Sequence, residues 1–178
     1  MTQTEELFVY AKFLYDALGE RIRVFEIVTL DNKTVTQDIL LHYREQVMYE
    51  IHDHNRTCKK SPLKVDFVPL GVPGDATLLA QSVLGDSSRP GEGLLVNSWK
   101  GKIPTGERMM ITVTAFGCVP ISFSQQTKEY GWLLTSYFDN VIGITDPELL
   151  NPPSYCPKDG TMTDEKPADL LRLLFGKN

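Results

Sequence analysis

The sequence predicts an all-β protein, and three observations carry that reading. Apolar and polar residues alternate over short runs, as they do on half-buried strands. Polar, Gly-bearing or Pro-bearing turns separate those runs. The strand–helix–strand rhythm of a parallel sheet does not occur. Antiparallel hairpins are the architecture consistent with all three.

Residues 7–15 read as a first strand, ended by the turn Asp16-Ala17-Leu18-Gly19. A long strand follows at 21–30, with Ile22, Val24, Val28 and Leu30 on one side. Residues 31–34 make a polar turn. Residues 38–43 and 47–52 form a hairpin around Arg44-Glu45-Gln46. In its second arm Val47, Tyr49 and Ile51 face one way; Met48, Glu50 and His52 face the other. Pro62, Pro69, Pro73, Gly71 and Gly74 predict irregular chain as far as Asp75, and a short helix is allowed at 76–82. DSSRPGEG (86–93) is a loop. Strands resume at 94–99, 108–116, 119–126 and 132–144, and a Pro-rich stretch occupies 146–157. The tail is polar until ADLLRLLF (168–175), a short amphipathic helix with Pro167 suited to its first turn. With no repeat, low-complexity segment or linker, the sequence predicts one domain over 1–158 and a tail over 159–178.

The later strands carry an apolar excess. Met109, Ile111 and Val113 share a side, with Met110 on the other; Val119, Ile121 and Phe123 share a side; so do Trp132, Leu134 and Phe138. Such faces suit a sandwich core, and they equally suit an apolar cavity inside a curved sheet.

Bulk numbers exclude some classes. A length of 178 residues suits one domain with a sizeable core, and a net charge of −5 argues against a nucleic-acid partner. No apolar run approaches a membrane span. The N-terminus, MTQTEELFVYAKFLYDAL, begins acidic and is broken by Lys12 and Asp16, so no signal peptide is visible. That favours the cytosol. Two acceptor sites for N-glycosylation, at Asn32 and Asn55, favour the secretory route instead.

The stretch HDHNRTCKKSP (52–62) concentrates chemistry-bearing residues. His52 and His54 share a parity, and Cys58 would add a thiolate, but a fourth zinc ligand is missing. His52 also falls on the Glu50 side of its strand, so solvated histidines are the favoured reading. The sequence lacks a nucleophile elbow, a P-loop, G-x-G-x-x-G and H-E-x-x-H, which argues against the corresponding enzymes. Cys118, between two strands, reads as structural rather than catalytic. Asp139 and Asp146, in FDNVIGITDPELL, are weak calcium candidates, since their spacing matches no EF-hand.

The segments LLVNSW (94–99), FGCVPISF (116–123), YFDNVIGITDP (137–147) and NPPSYC (151–156) occur in that order. Together with ERIRVFE (20–26) and VMYEI (47–51), they resemble the ependymin-related proteins, of the mammalian type, from about Tyr15 to Cys156. The resemblance implies two stacked, curved antiparallel sheets around a deep apolar pocket, a half-barrel or sandwich like that of bacterial lipoprotein carriers. It implies a non-catalytic, secreted or lysosomal glycoprotein that binds lipids or other hydrophobic small molecules. No cofactor is required, while calcium association, homodimers and a role in cell–matrix adhesion are implied as well. Lining candidates for such a pocket are Val47, Tyr49, Met109, Ile111, Ile121, Phe123, Trp132, Leu134 and Phe138. The family's cysteine positions imply a Cys58–Cys156 disulfide, worth about 4–5 kcal/mol by loop entropy.

The chain also departs from the family. Members begin with a signal peptide and carry an early cysteine that pairs with the position of Cys118; this chain shows neither, so Cys118 is expected to be unpaired. The alternative reading is an extracellular-matrix or adhesion dimer without a ligand pocket.

Overall fold

A computed structural model describes residues 8–30, 33–103, 106–127 and 131–157. The chain is all-β, with ten strands in two five-stranded antiparallel sheets. Neither sheet closes into a barrel among the described residues. The only helices there are single 3-10 turns at Asp53–Asn55 and Pro147–Leu150. No described helix is long and apolar enough to cross a membrane. The chain's contacts fall into two compact units. Unit 1 comprises Met1–Val68 and Gly143–Asn178; unit 2 comprises Pro69–Ile142.

Unit 1 holds the first sheet, β1 (Phe8–Asp16), β2 (Arg21–Leu30), β3 (Lys33–His42), β4 (Val47–His52) and β5 (Thr57–Pro62), in spatial order. Tight turns explain why neighbours in sequence are neighbours in space. The Asp16 carboxylate accepts from the Gly19 amide at 2.8 Å and pairs with Arg21 at 2.7 Å, fixing the first hairpin. Those bonds, the Gly19 amide foremost, hold its pKa below the ordinary carboxylate value. On one face Ile22, Val24, Ile39, Leu41 and Met48 pack with Tyr43 and Leu63; Phe13 and Tyr15 flank them from β1, and Val65 and Phe67 pack against them. Tyr15 stacks on Phe67, which meets Tyr43 edge-on.

Unit 2 holds the second sheet: β6 (Thr77–Gly85), β7 (Gly93–Lys102), β8 (Arg108–Thr114), β9 (Pro120–Thr127) and β10 (Gly131–Ser136). Its core is Met109, Ile111 and Val113, with Val72, Trp99, Ile103 and Phe123 around them. Val96 is buried as well.

Three sequence expectations are corrected. The irregular stretch after His52 contains β5, an edge strand that tolerates Pro62 because an edge leaves one row of backbone groups unpaired. The helix allowed at 76–82 is strand β6; Leu, Ala and Gln favour helix weakly, and pairing with β7 outweighs them. The strand expected over 132–144 stops at Ser136. The tail helix at 168–175 lies outside the described residues.

Candidate functional site

The implied lining residues fall in both units and, within unit 2, on both faces of its sheet. Val47 and Tyr49 lie in unit 1, on the β4 face that also carries Leu40 and Ile51. That face is covered by the chain's own return segment, through Ile144, Leu150, Tyr155 and Cys156. Four polar devices hold the segment down. Arg23 forms a bidentate pair with Asp38, at 2.9 and 2.7 Å, and donates its third bond to the Leu149 carbonyl at 2.9 Å. His42 Nε2 lies 2.9 Å from the Leu150 carbonyl; a carbonyl only accepts, so Nε2 carries the proton. Arg21 donates to the Asn151 side chain, and the Tyr155 hydroxyl donates to Asp53. A Cys58–Cys156 disulfide then fixes the end of the segment, as the family resemblance implies. Val47 and Tyr49 therefore meet protein rather than open space.

In unit 2, register decides which residues share a face, because directly paired residues of antiparallel strands project to the same side. Trp99 pairs with Ile111, Ile111 with Phe123, and Met109 with Gln125. Leu78 pairs with Trp99, and Val83 with Leu95. This Trp99 face has a buried floor of Met109, Ile111 and Val113 and half-open walls of Leu78, Val83, Trp99 and Phe123. Its polar residues include Gln81 and Asn97, which bond to each other at 2.9 Å. The Trp99 Nε1 atom is buried without a hydrogen-bond partner among the described residues.

Trp132 and Leu134 are on the opposite face. They pair with Gln126 and Ser124, and Ser124 pairs with Met110. Trp132 is 59% exposed and Leu134 70%. Phe138 lies beyond the end of β10 and is also exposed. Ile121 falls at the register shift between β8 and β9, where strand parity lapses. Of the implied lining, Met109, Ile111 and Phe123 stay together. Parity along one strand groups residues of that strand alone; the face shared between strands depends on register, which the turns fix.

The remaining candidates have local roles. His52 approaches Glu50 at 3.4 Å and His54 edge-on. No group of three or more metal-ligating side chains occurs among the described residues. Asp146 accepts from the Glu148 amide and so caps the second 3-10 turn; Asp139 is an exposed loop residue with positive φ. Cys118 is free, exposed and in a turn, also with positive φ. The histidine partners found here are Leu150, Glu45, Glu50 and neighbouring rings, none of them a thiol. Asn55 is exposed, and its amide oxygen accepts from the Thr57 hydroxyl at 2.6 Å. Asn32 lies outside the described residues.

One buried ionisable group escaped the motif search. Glu26 is 2% exposed, and its Oε1 has no partner among the described residues. Burial raises its pKa from 4.5 to about 7. It pairs across strands with Gln37, whose Oε1 is also buried and unpartnered. The signal was present: Glu26 occupies the parity of Ile22 and Val24.

Comparison with known proteins follows this geometry. A family model described as Ependymin matches residues 31–156. The chain is 33% identical to ependymin-2 of Carassius auratus, over 89% of this chain and 73% of that protein. It is 34% identical to ependymin of Notemigonus crysoleucas, over 89% and 72%. It is 32% identical to mammalian ependymin-related protein 1 of Mus musculus, over 80% and 63%.

Proposed function

The chain belongs to the ependymin family, and from that premise we propose that it is a non-catalytic binding protein for lipids or other hydrophobic small molecules. The observation that carries this reading is the Trp99 face of unit 2. Met109, Ile111 and Val113 provide an apolar floor; Leu78, Val83, Trp99 and Phe123 provide walls. The unpartnered Trp99 Nε1 supplies one donor for a ligand's polar atom. An apolar face with a few fixed polar points is how small hydrophobic ligands are oriented. No step in this reading requires a cofactor.

Secretion and glycosylation belong to the same proposal. Asn55 is an exposed acceptor, and a disulfide persists where the surroundings are oxidising.

The test is native mass spectrometry of the full chain purified from secreting cells, with competition by a fluorescent fatty acid. Saturable loading of about one ligand per chain is expected, and Val113→Trp, which fills the floor, abolishes it. A chain that stays empty and saturates with no apolar probe sinks the carrier reading. If it is also dimeric, the adhesion alternative gains.

A further inference from the structure

The outermost strand of a sheet presents a row of backbone N–H and C=O groups with no strand beside them, and charges, proline or shortness ordinarily guard it. Among the described residues the two sheets have four such edges. β1 carries Lys12 and Asp16, β5 carries Lys59, Lys60 and Pro62, and β10 is six residues long. The fourth edge, β6, is nine residues long, contains no charged residue and no proline, and is exposed at every position. Its one irregularity, a register shift between Leu78 and Ala80, leaves Ala80–Gly85 in continuous pairing with β7. No backbone group of β6 bonds to another backbone group outside the β6–β7 ladder among the described residues.

This edge is apolar on both faces. Val83 pairs with Leu95 on the Trp99 face, and Leu84 pairs with Leu94 on the opposite one. Leu78, Leu79, Val83 and Leu84 are all exposed. Charge begins just outside the strand, at the exposed Asp75 and Asp86. Setting a charge against such a strip is costly, and so is covering its backbone without pairing it. The occupant that fits is therefore neutral, extended and able to supply its own backbone ladder. A bilayer supplies no such ladder in its hydrocarbon region. A second copy of β6 is a poor match. Symmetric pairing along Ala80–Gly85 sets Leu84 against Gln81, Ser82 or Ala80 in each of the longest registers, never against a large apolar residue.

We propose that β6 captures an extended, uncharged segment of another protein as a further strand of the unit 2 sheet. Backbone hydrogen bonds along the open row give the affinity, and the side chains at alternate positions give the selectivity. At the Gly85 end apolar neighbours stand on both faces, so the segment carries apolar β-branched residues there on both of its faces. Such a segment is buried in a folded partner and open in an incompletely folded one, which makes the latter the class of partner that this edge fits. The inference goes beyond ligand loading, since capture uses the backbone rim of the sheet and not the floor of the Trp99 face.

The test is fluorescence anisotropy of a fluorescein-labelled, end-capped peptide of Val and Thr, as long as β6, titrated with the full chain. Saturable binding is expected, with hydrogen exchange showing new protection over β6. The same peptide N-methylated at every residue donates no hydrogen bond and should not bind. Ser82→Lys/Leu84→Lys places two charges on the edge and should weaken binding about tenfold. Leu134→Lys, on the opposite edge strand β10, leaves it intact, and so does Val113→Trp, which fills the ligand floor. Circular dichroism checks that each variant is folded, and the methylated peptide tests the unaltered chain. The proposal is overturned by no binding, equal binding of the methylated peptide, an unaffected double-lysine variant or protection confined to other strands. A dimer that the double-lysine variant dissolves also overturns it, since β6 is then taken by a second copy. None of these outcomes bears on fatty-acid loading, so the two readings fail separately.

Discussion

Units 1 and 2 are each built on five antiparallel strands, yet they treat their apolar residues differently. Unit 1 closes the apolar parts of both faces of its sheet. Leu63, Val65 and Phe67, from the chain after β5, pack on one, and the return segment through Leu150 and Cys156 covers the other. Unit 2 buries little beyond Val96, Met109, Ile111 and Val113. Of the seventeen large apolar residues exposed among the described ones, twelve are in unit 2, from Leu78 to Ile142. Apolar area left in water forgoes about 25 cal/mol per Å², so the open residues of unit 2 contribute little to its stability. Strand number and alternation are alike in the two sheets; what separates them is whether a later segment of the chain returns to cover the face.

The contrast breaks most sharply at the covalent tether. Cys58→Ser/Cys156→Ser removes a closure spanning 98 residues, a loss of about 4–5 kcal/mol. Denaturant unfolding measures that loss. Hydrogen exchange locates it: amides of β2–β4 lose protection, while those of β7–β9 keep theirs. Equal loss in both units would mean that the segment does not serve unit 1 alone. The ionic clasp comes next. Arg23 is 5% exposed and fully engaged by Asp38 and Leu149. Asp38→Asn leaves its charge poorly compensated and costs about 3 kcal/mol, read from the same unfolding curves. An unchanged midpoint would show that the segment is held without it.

Glu26 gives unit 1 a dependence on pH. Its folded pKa, about 7, lies above the unfolded value of 4.5, so the folded state binds a proton more tightly. The stability this provides is complete below 4.5, declines as pH rises through the interval, and is lost above about 7. The difference corresponds to about 3 kcal/mol. Glu26→Gln removes this dependence. Unfolding free energies of the two proteins, followed from pH 4 to 8, should diverge through that window; parallel profiles would show that the carboxyl finds a partner when ionised.

Much of this was legible in the sequence, and the gaps have physical causes. The hairpins of unit 1 followed directly, because Asp16–Gly19 and Arg44–Gln46 are turn-forming and the strand parities are clean. The tether followed from family resemblance, since spacing alone pairs no cysteines. β5 was hidden by polar residues and Pro62, which an edge strand accepts. β6 was hidden by helix-tolerant Leu and Ala, and by a register shift between Leu78 and Ala80 that interrupts alternation. The division of residues between the two faces of unit 2 was the least legible part. Trp132 and Leu134 share a parity within β10, but only the β9–β10 register shows that they stand opposite Phe123 rather than beside it.

The smallest expected effect sharpens the comparison best. Leu134 is 70% exposed, so Leu134→Ser forfeits little buried area and should change unfolding free energy by less than about 0.5 kcal/mol. Its strand position is unaltered, because Ser at β10 keeps the backbone pairing with Ser124. An apolar residue on paired strands whose removal costs no stability is one that no other part of the molecule covers. A stability loss above 1 kcal/mol would mean that Leu134 is covered in solution, by another part of the chain or by a second copy. Sedimentation of the variant distinguishes those two covers: a mass that falls to a monomer identifies the second copy, and an unchanged mass identifies the chain itself.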